Sequence, residues 1–367
     1  MLISTHPLSL EQFFHIYMAF KMTLHLRTAL RLSMAKTALA LSFLGGMGVA
    51  IAAGEMPVPS GFPNIPNEQA LGTGPFPAIM HSVPELPDHT IYRPANLNAT
   101  SLGRMPVVVW ANGACINVGN RFRWFLSELA SHGFLVVAIG PIGPAAASTV
   151  EGINYRGTPA TGSPATQGPQ PVQAPGGPRL GLAESSPAQL ARGITWAQEV
   201  NVQANSIFAG KLDTQRVAAM GQSCGGLQAL ALATDSRVTT LGIWNSGALD
   251  DSAMASRIAG ATVTKQTLDD IRVPALYVTG DPSDVAYPNA DDDYKRLNKT
   301  PVVRLWREKT PHQGTYREAG GGAFSAVGVA WLKWQLKADQ NAAKFFKGPD
   351  CELCKQPEWH LQLKGFD

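Results

Sequence analysis

Charged residues are scarce in this sequence of 367 residues: they make up 16% of it, hydrophobic residues make up 45%, and the formal net charge is only +3. No basic stretch is interleaved with aromatic residues, so the pattern of a nucleic-acid-binding surface is missing. Internal repeats are missing too, which argues against a propeller. The hydrophobic content suffices for a sizeable core, and one α/β domain of ~250–300 residues would account for most of the chain.

A hydrophobic run suited to a permanent membrane span is also missing. The uncharged stretch from Thr37 to Ala53 is rich in Ala, Leu and Gly, and Ala50-Ile51-Ala52 supplies an A-x-A cleavage site. This pattern predicts a signal peptide region over residues 1–53, cleaved after Ala52. Translation could start at Met1, at Met22 or at Met34. We therefore expect a secreted or periplasmic protein with no stable membrane span after processing.

Cysteine is sparse, with four residues in the chain. An even number in an oxidising compartment favours disulfides, and we predict the pairs Cys115–Cys224 and Cys351–Cys354. Cys115 and Cys224 are far apart in sequence, but both fall in loops expected at the same edge of a sheet. A zinc site at Cys351-x-x-Cys354 would need two more ligands, and His360 is the one nearby histidine. A redox C-x-x-C would open a helix after a strand, which this one does not.

Strand and helix patterns alternate over residues 89–340. The preceding residues, 54–88, are rich in Pro and Gly and are predicted to be a mostly irregular leader. Residues 341–367 are predicted to be a tail. The uncharged, β-branched runs predict the α/β class, with a mainly parallel sheet and helices on both faces. Loop 141–183 breaks the alternation and is interpreted either as a flap or as an insertion without a role. The predicted strands are 89–94, 106–110, 134–139, 216–220, 238–244, 274–279 and 302–306, and the predicted helices are 122–131, 186–201, 226–233 and 324–337.

The most informative motif is G-x-S-x-G at residues 221–225, with Ser223 at its centre. An apolar strand precedes it and a helix follows it, so the serine is predicted on a sharp strand-to-helix turn with its hydroxyl directed into a cleft. Glycines flank the serine because side chains there would clash with the strand or the helix. The alternative is a tight turn whose serine caps the helix.

A serine nucleophile needs a base, and the base needs an orienting acid. His312 is the histidine that falls in a loop just after a late core strand, so we predict it as the base. The acid is expected between Ser223 and His312, after a strand. Asp284 and Asp281 both meet this condition, and we prefer Asp284 because aspartate at an immediate strand end is a common turn former. Asp291-Asp292-Asp293 is interpreted as the solvated first turn of a helix rather than a cation site.

Two backbone amides are needed to hold the negative charge that develops on a carbonyl oxygen under attack. We predict the amide of Cys224, just after the serine, and the amide of Ala114, with Gly113 as the second choice in that loop. A Cys115–Cys224 bond would link these two loops. Residues at strand ends could line a substrate pocket or be ordinary core and turn residues; they are Trp110, Trp244 and Asn245.

The chain resembles the α/β-hydrolase superfamily over approximately residues 89–340. The resemblance is carried by the order Ser223…Asp284…His312, by the elbow Gly-Gln-Ser-Cys-Gly and by the strand-terminal Asn-Gly loop. Segments 284–288 and 131–134 are also similar to secreted esterases of the cutinase-like polyester hydrolase and dienelactone hydrolase branches. The resemblance implies the α/β-hydrolase fold and a Ser-His-Asp esterase mechanism with no cofactor and no metal. Loop 141–183 and the cysteine tail depart from those branches.

We therefore expect an exported serine hydrolase that cleaves a small-molecule or polymeric carboxylic ester through an acyl-enzyme. Three alternatives stay open at this point. The same triad could serve a peptidase or amidase, it could transfer the acyl group to an alcohol, or the scaffold could be a non-catalytic binding protein. A complete triad order argues against the last alternative.

Overall fold

The computed structural model describes residues 72–143 and 183–366. The predicted signal peptide with its cleavage site, the start of the predicted leader and nearly all of loop 141–183 lie outside the described residues. The interpretations of these segments therefore stay predictions.

A single mixed sheet of nine strands organises the described residues, in the order β1-β2-β4-β3-β5-β6-β7-β8-β9. Strands β3 to β8 are parallel to one another, whereas β1, β2 and β9 run antiparallel to their neighbours. The prediction of the α/β class with a mainly parallel sheet is thus confirmed. The strands are β1 Ala78–His81, β2 His89–Pro94, β3 Met105–Ala111, β4 Leu135–Ile139, β5 Leu212–Gln222, β6 Thr240–Trp244, β7 Ala275–Thr279, β8 Val302–Arg307 and β9 Trp359–Lys364.

Helices cover both faces of the sheet. Along β3, Val107 and Val109 belong to one buried cluster, and Val108 and Trp110 belong to the other, because successive side chains of a strand point to opposite faces. Helices α2 and α3 pack on the first cluster, and α1 and α6 pack on the second. None of the helices in the described part of the chain has the length and apolar composition needed to cross a bilayer. The helices are α1 Arg123–Ser131, α2 Pro187–Val202, α3 Cys224–Leu230, α4 Ser252–Ala259, α5 Tyr287–Arg296, α6 Gly322–Lys337 and α7 Gln340–Ala343.

Local signals explain where two of these helices begin and end. Pro187 occupies the first turn of α2, and the Ser186 amide donates to Oε1 of Gln189 at 2.9 Å, which satisfies a donor the helix leaves free. Helix α1 ends before Gly133, whose φ of +81° suits glycine. The Nζ of Lys337 donates to the carbonyl of His132 at 2.9 Å, at the same helix end.

The sheet extends beyond its predicted limits at both edges. Ala78–His81, within the predicted irregular leader, forms β1 antiparallel to β2. Trp359–Lys364, within the predicted tail, forms β9 antiparallel to β8, so the tail belongs to the domain. His360 on β9 stacks on Trp306 with ring centroids 3.6 Å apart, and its Nε2 lies 3.0 Å from Oε1 of Glu308, so the side chain is packed at the edge of the sheet.

The predicted solvated turn at Asp291-Asp292-Asp293 is wrong. Helix α5 begins a turn earlier than expected, which turns Asp293 into the core. There it is fully buried and pairs with the buried Lys265 at 2.7 Å, while its other oxygen accepts from the amide of Ala248 at 2.7 Å. Burial raises the pKa of Asp293 to about 6.

Candidate active site

Ser223 lies on the turn between β5 and α3, at the carboxyl end of the parallel strands. Its backbone has φ +54° and ψ −121°, an unusual conformation for a residue with a side chain, and its amide donates to the carbonyl of Trp244 at 2.8 Å. A Cβ on Gly225 would lie 2.1 Å from the Ala111 carbonyl oxygen, and one on Gly221 would lie 2.2 Å from that of Gly225. The turn therefore requires both glycines, and Ser223 is left half-buried.

His312 reaches Ser223 from the loop that follows β8. Its Nε2 lies 2.9 Å from the Ser223 Oγ, and its Nδ1 lies 2.6 Å from Oδ1 of Asp284. An ionised carboxylate can only accept, so Nδ1 carries a proton and Nε2 is free to accept the serine proton. The Nε2 of Gln222 donates to the His312 carbonyl at 3.1 Å and holds the loop against the turn.

Asp284 is a buried carboxylate in the loop after β7, and four donors surround it. Oδ1 accepts from the His312 ring and from the Ala286 amide at 2.9 Å. Oδ2 accepts from the Gly280 amide at 2.9 Å and from Nδ2 of Asn245 at 2.7 Å. Burial alone would raise the pKa of Asp284. The pKa is nevertheless held below its ordinary value by the hydrogen bonds from His312, Ala286 and Asn245 and by the charge of His312.

Asp281, the other candidate acid, forms a local turn instead. Its Oδ1 accepts from the amide and the hydroxyl of Ser283, at 2.9 and 2.5 Å. Its amide donates to the Thr310 carbonyl at 3.1 Å, which joins the β7 loop to the histidine loop. A Cβ on Gly280 would lie 2.0 Å from the same carbonyl oxygen, so this close approach depends on glycine. The structure thus brings Asp284, not Asp281, to His312.

The loop after β3 forms a tight turn over Gly113–Cys115 beside the serine. Ala114 is exposed, and it and Cys115 have positive φ values of +55° and +48°. The amides of Cys115 and Ile116 donate back into the turn, whereas no group in the described part of the chain accepts from the amide of Ala114. A Cβ on Gly113 would lie 2.0 Å from Oε1 of Gln222, so the loop packs directly against the serine turn.

A disulfide joins Cys115 in this turn to Cys224, the residue after Ser223, with Cα atoms 5.3 Å apart. The second disulfide links Cys351 to Cys354. Both predicted pairings are therefore present. The first bond links the two loops whose amides were predicted to face a reacting oxygen, although they lie 109 residues apart in sequence. In the described residues the Cys224 amide also has no acceptor.

The two tryptophans suggested for the pocket are core residues. Trp110 and Trp244 are fully buried, and each packs against Phe125 with ring centroids 5.2 and 5.1 Å apart. Their strands are covered on both faces, so neither indole reaches a cleft.

Asn245 is a buried turn residue, in agreement with the second of the two interpretations offered for it. It is buried behind Asp284, with a φ of +42°, and its Oδ1 accepts from the hydroxyl of Tyr316 at 2.5 Å. Sequence reasoning missed this contact, and it also missed Tyr316 and Gln222. An asparagine at a strand end, where a positive φ is tolerated, was the signal that could have indicated a structural turn.

An open cavity of about 600 Å³ lies apart from this array, between α1, α6 and α7. Its lining includes Glu128, His132 and Lys333 but none of the residues around Ser223. Oε1 of Glu128 is bonded to Thr73 at 2.6 Å and to His132 at 3.1 Å. The cavity and the serine site are separate features.

Compared with protein-family models and with curated protein sequences, the chain matches none. We therefore infer the function from the geometry of the site.

Proposed function

We propose that the protein is an exported serine hydrolase that cleaves carboxylic esters. The observation that carries the proposal is the continuous array Ser223 Oγ, His312, Asp284, with separations of 2.9 and 2.6 Å. A hydroxyl bonded to an imidazole, itself bonded to a buried carboxylate, is the arrangement that activates a serine for acyl transfer.

In the proposed reaction, Ser223 attacks the ester carbonyl while Nε2 of His312 takes the hydroxyl proton. Asp284 keeps the imidazole in the correct tautomer and stabilises the cation that forms. The amides of Ala114 and Cys224 would hold the oxyanion, since neither has an acceptor in the described structure. The proton then passes from His312 to the departing alcohol, and water cleaves the acyl-enzyme through the same base.

The surrounding fold is consistent with an α/β hydrolase. The serine lies on a strand-to-helix turn of a parallel sheet, and the acid and the histidine follow it in chain order on loops after later strands. Two disulfides are typical of proteins in oxidising compartments, which supports export together with the signal pattern of the N-terminal sequence. We therefore take the ester as the substrate rather than a peptide, and water as the acceptor rather than an alcohol.

Hydrolysis of p-nitrophenyl acetate and butyrate tests the proposal. Ser223→Ala should lower kcat by about 10³-fold or more, because no other hydroxyl in the described part of the chain is hydrogen-bonded to His312. Ser256→Ala, at an exposed position on α4, is the matched control and should leave kcat unchanged. Equal rates for the wild type and Ser223→Ala would remove the assignment. Parallel assays with a peptide, an amide and an added alcohol acceptor distinguish the alternative acyl chemistries.

A further inference from the structure

Behind Asp284, on the side away from His312, lies a second pair of buried polar side chains that the proposed reaction does not use. Nδ2 of Asn245 donates to Oδ2 of Asp284 at 2.7 Å, and the hydroxyl of Tyr316 donates to Oδ1 of Asn245 at 2.5 Å. All three side chains are fully buried. The chain of contacts continues through Asp284 to His312 at 2.6 Å.

The direction of these hydrogen bonds follows from the chemistry of the groups. An ionised Asp284 can only accept, so the amide NH₂ of Asn245 faces it. The amide oxygen of Asn245 then faces Tyr316, which must donate its proton. Burial and the charge of Asp284 raise the pKa of Tyr316 well above its ordinary value, so the hydroxyl keeps that proton at neutral and acidic pH.

Neither residue can move easily. The Asn245 amide donates to the Val278 carbonyl at 2.7 Å, which fixes its backbone at the end of β6. The ring of Tyr316 packs edge-on against Phe122, Phe125 and Phe324, with centroids 5.1, 5.3 and 5.4 Å away. This packing holds the hydroxyl in place, and the hydroxyl in turn fixes which way the Asn245 amide points.

We infer that Asn245 and Tyr316 are positioning residues that hold Asp284 in its orientation toward His312 and set the acidic limit of activity. The inference rests on the proposed function, because that limit is the protonation of the catalytic base. A donor on Oδ2 withdraws negative charge from the carboxylate, so the imidazolium is stabilised less. Losing the donor makes Asp284 a stronger partner for the imidazolium, and His312 should then keep its proton to higher pH.

The charged and titratable groups that face Asp284 from the surrounding elements are His312, Tyr316 and Arg304. Arg304 is buried on β8, its guanidinium interacts with the charge of Asp284, and burial lowers its pKa to about 10. It therefore stays charged at neutral and acidic pH. Neither Arg304 nor Tyr316 changes its charge there, so a shift of the acidic limit can be assigned to the Asp284–His312 pair.

The test compares Tyr316→Phe and Asn245→Gly with Tyr92→Phe in the full chain. Tyr316→Phe removes one hydroxyl, and Asn245→Gly removes the amide donor to Asp284 at a positive φ that suits glycine. Tyr92→Phe is the control, because Tyr92 is equally buried and its hydroxyl donates to the Gly119 carbonyl at 2.8 Å, away from Asp284. The measurements are kcat/KM against pH with p-nitrophenyl butyrate, and NMR titration of histidine-labelled protein, with His312 assigned by His312→Ala.

We expect Tyr316→Phe to lower kcat by about tenfold with little change in KM, as for the loss of one positioning hydrogen bond. The acidic limb should move to higher pH in Tyr316→Phe and further in Asn245→Gly, and the His312 titration should move with it. Tyr92→Phe should keep the wild-type profile. An acidic limb and a His312 titration that stay in place, or move downward, in a folded Tyr316→Phe would overturn the inference.

Two further outcomes are informative. If both site variants fail to fold while Tyr92→Phe folds, Asn245 and Tyr316 are needed for the stability of the fold, and the inference is overturned. If the wild type cleaves no ester, the proposed function fails, but the NMR titration still measures whether Tyr316 and Asn245 control His312.

Discussion

Removing the Cys115–Cys224 disulfide should affect both stability and catalysis, and the two effects can be separated. The perturbation is the double variant Cys115→Ala/Cys224→Ala. Cys351→Ala/Cys354→Ala is the matched control, since it removes the same kind of bond from a position far from Ser223 in the sequence. In both variants the backbone amides stay present.

The stability effects should differ because the closed loops differ in length. The site disulfide spans a sequence separation of 109 and the tail disulfide a separation of 3. From chain entropy alone, removing the site disulfide should lower the free energy of unfolding by about 5 kcal/mol, and removing the tail disulfide should lower it by about 2 kcal/mol. For a domain of this size, the first loss corresponds to a fall in Tm of about 10 °C.

The catalytic effect follows from where the bond lies. It links the Gly113–Cys115 turn to the residue after Ser223, so both proposed oxyanion donors depend on it. Losing one such donor outright costs about 10²–10³ in kcat, and loosening it should cost at least about tenfold. The tail variant should keep the wild-type kcat.

Urea unfolding followed by circular dichroism measures the stability, and p-nitrophenyl butyrate hydrolysis well below both melting temperatures measures kcat. If the site variant loses stability as expected but retains full kcat, the bond does not shape the anion-holding loops and the reasoning is refuted.

Three further predictions concern carboxylates at the site and in the core. Asp284→Asn should lower kcat by about 10³-fold or more, whereas Asp281→Asn should change it less than threefold, in the same ester assay; the reverse order would mean that Asp281 is the acid. Because the pKa of Asp284 is held below its unfolded value, its ionised form stabilises the fold above about pH 4 and this contribution is lost as the pH falls. Asp284→Asn should therefore lose less stability than the wild type between about pH 5 and pH 2, in urea unfolding. Lys265→Met should lower the free energy of unfolding by about 3–5 kcal/mol at neutral pH, because the buried Asp293 loses its charged partner and must stay ionised alone or take up a proton. The loss should shrink at lower pH, where Asp293 is protonated in the wild type as well. Lys295→Met, which removes an exposed pair with Asp291, should cause no measurable change; equal losses in the two lysine variants would contradict the burial argument.

Much of the sheet and of the serine site could be predicted because the signals are local. The elbow at Ser223 needs glycines within two residues, and an uncharged β-branched run such as β3 can be read as a buried strand. His312 and the Cys115–Cys224 pair followed from one further rule, that loops after parallel strands meet at the same edge.

The other features depend on contacts that no local pattern records. Strand β1 has four residues and is defined by its pairing with β2, and β9 is defined by its pairing with β8. Strand β3 is buried on both faces, so its sequence does not tell which face Trp110 occupies. Asp293 was misplaced because helix α5 begins at Tyr287, and a shift of one turn decides which aspartates face the core.

The contact of Asn245 with Asp284 was beyond sequence reasoning for a related reason. The two residues are 39 positions apart, and their side chains meet because β6 and β7 are neighbours in the sheet. Predicting that contact requires the strand order as well as the strands.

The account depends most directly on whether Ser223 becomes a covalent nucleophile. Incubation of the folded protein with a fluorophosphonate, followed by peptide mass spectrometry, measures this without any choice of substrate. The account predicts one adduct, on Ser223, formed much more slowly in His312→Ala and absent in Ser223→Ala. A wild-type protein that cleaves esters but carries its adduct on another residue, or labels equally fast without His312, would contradict it.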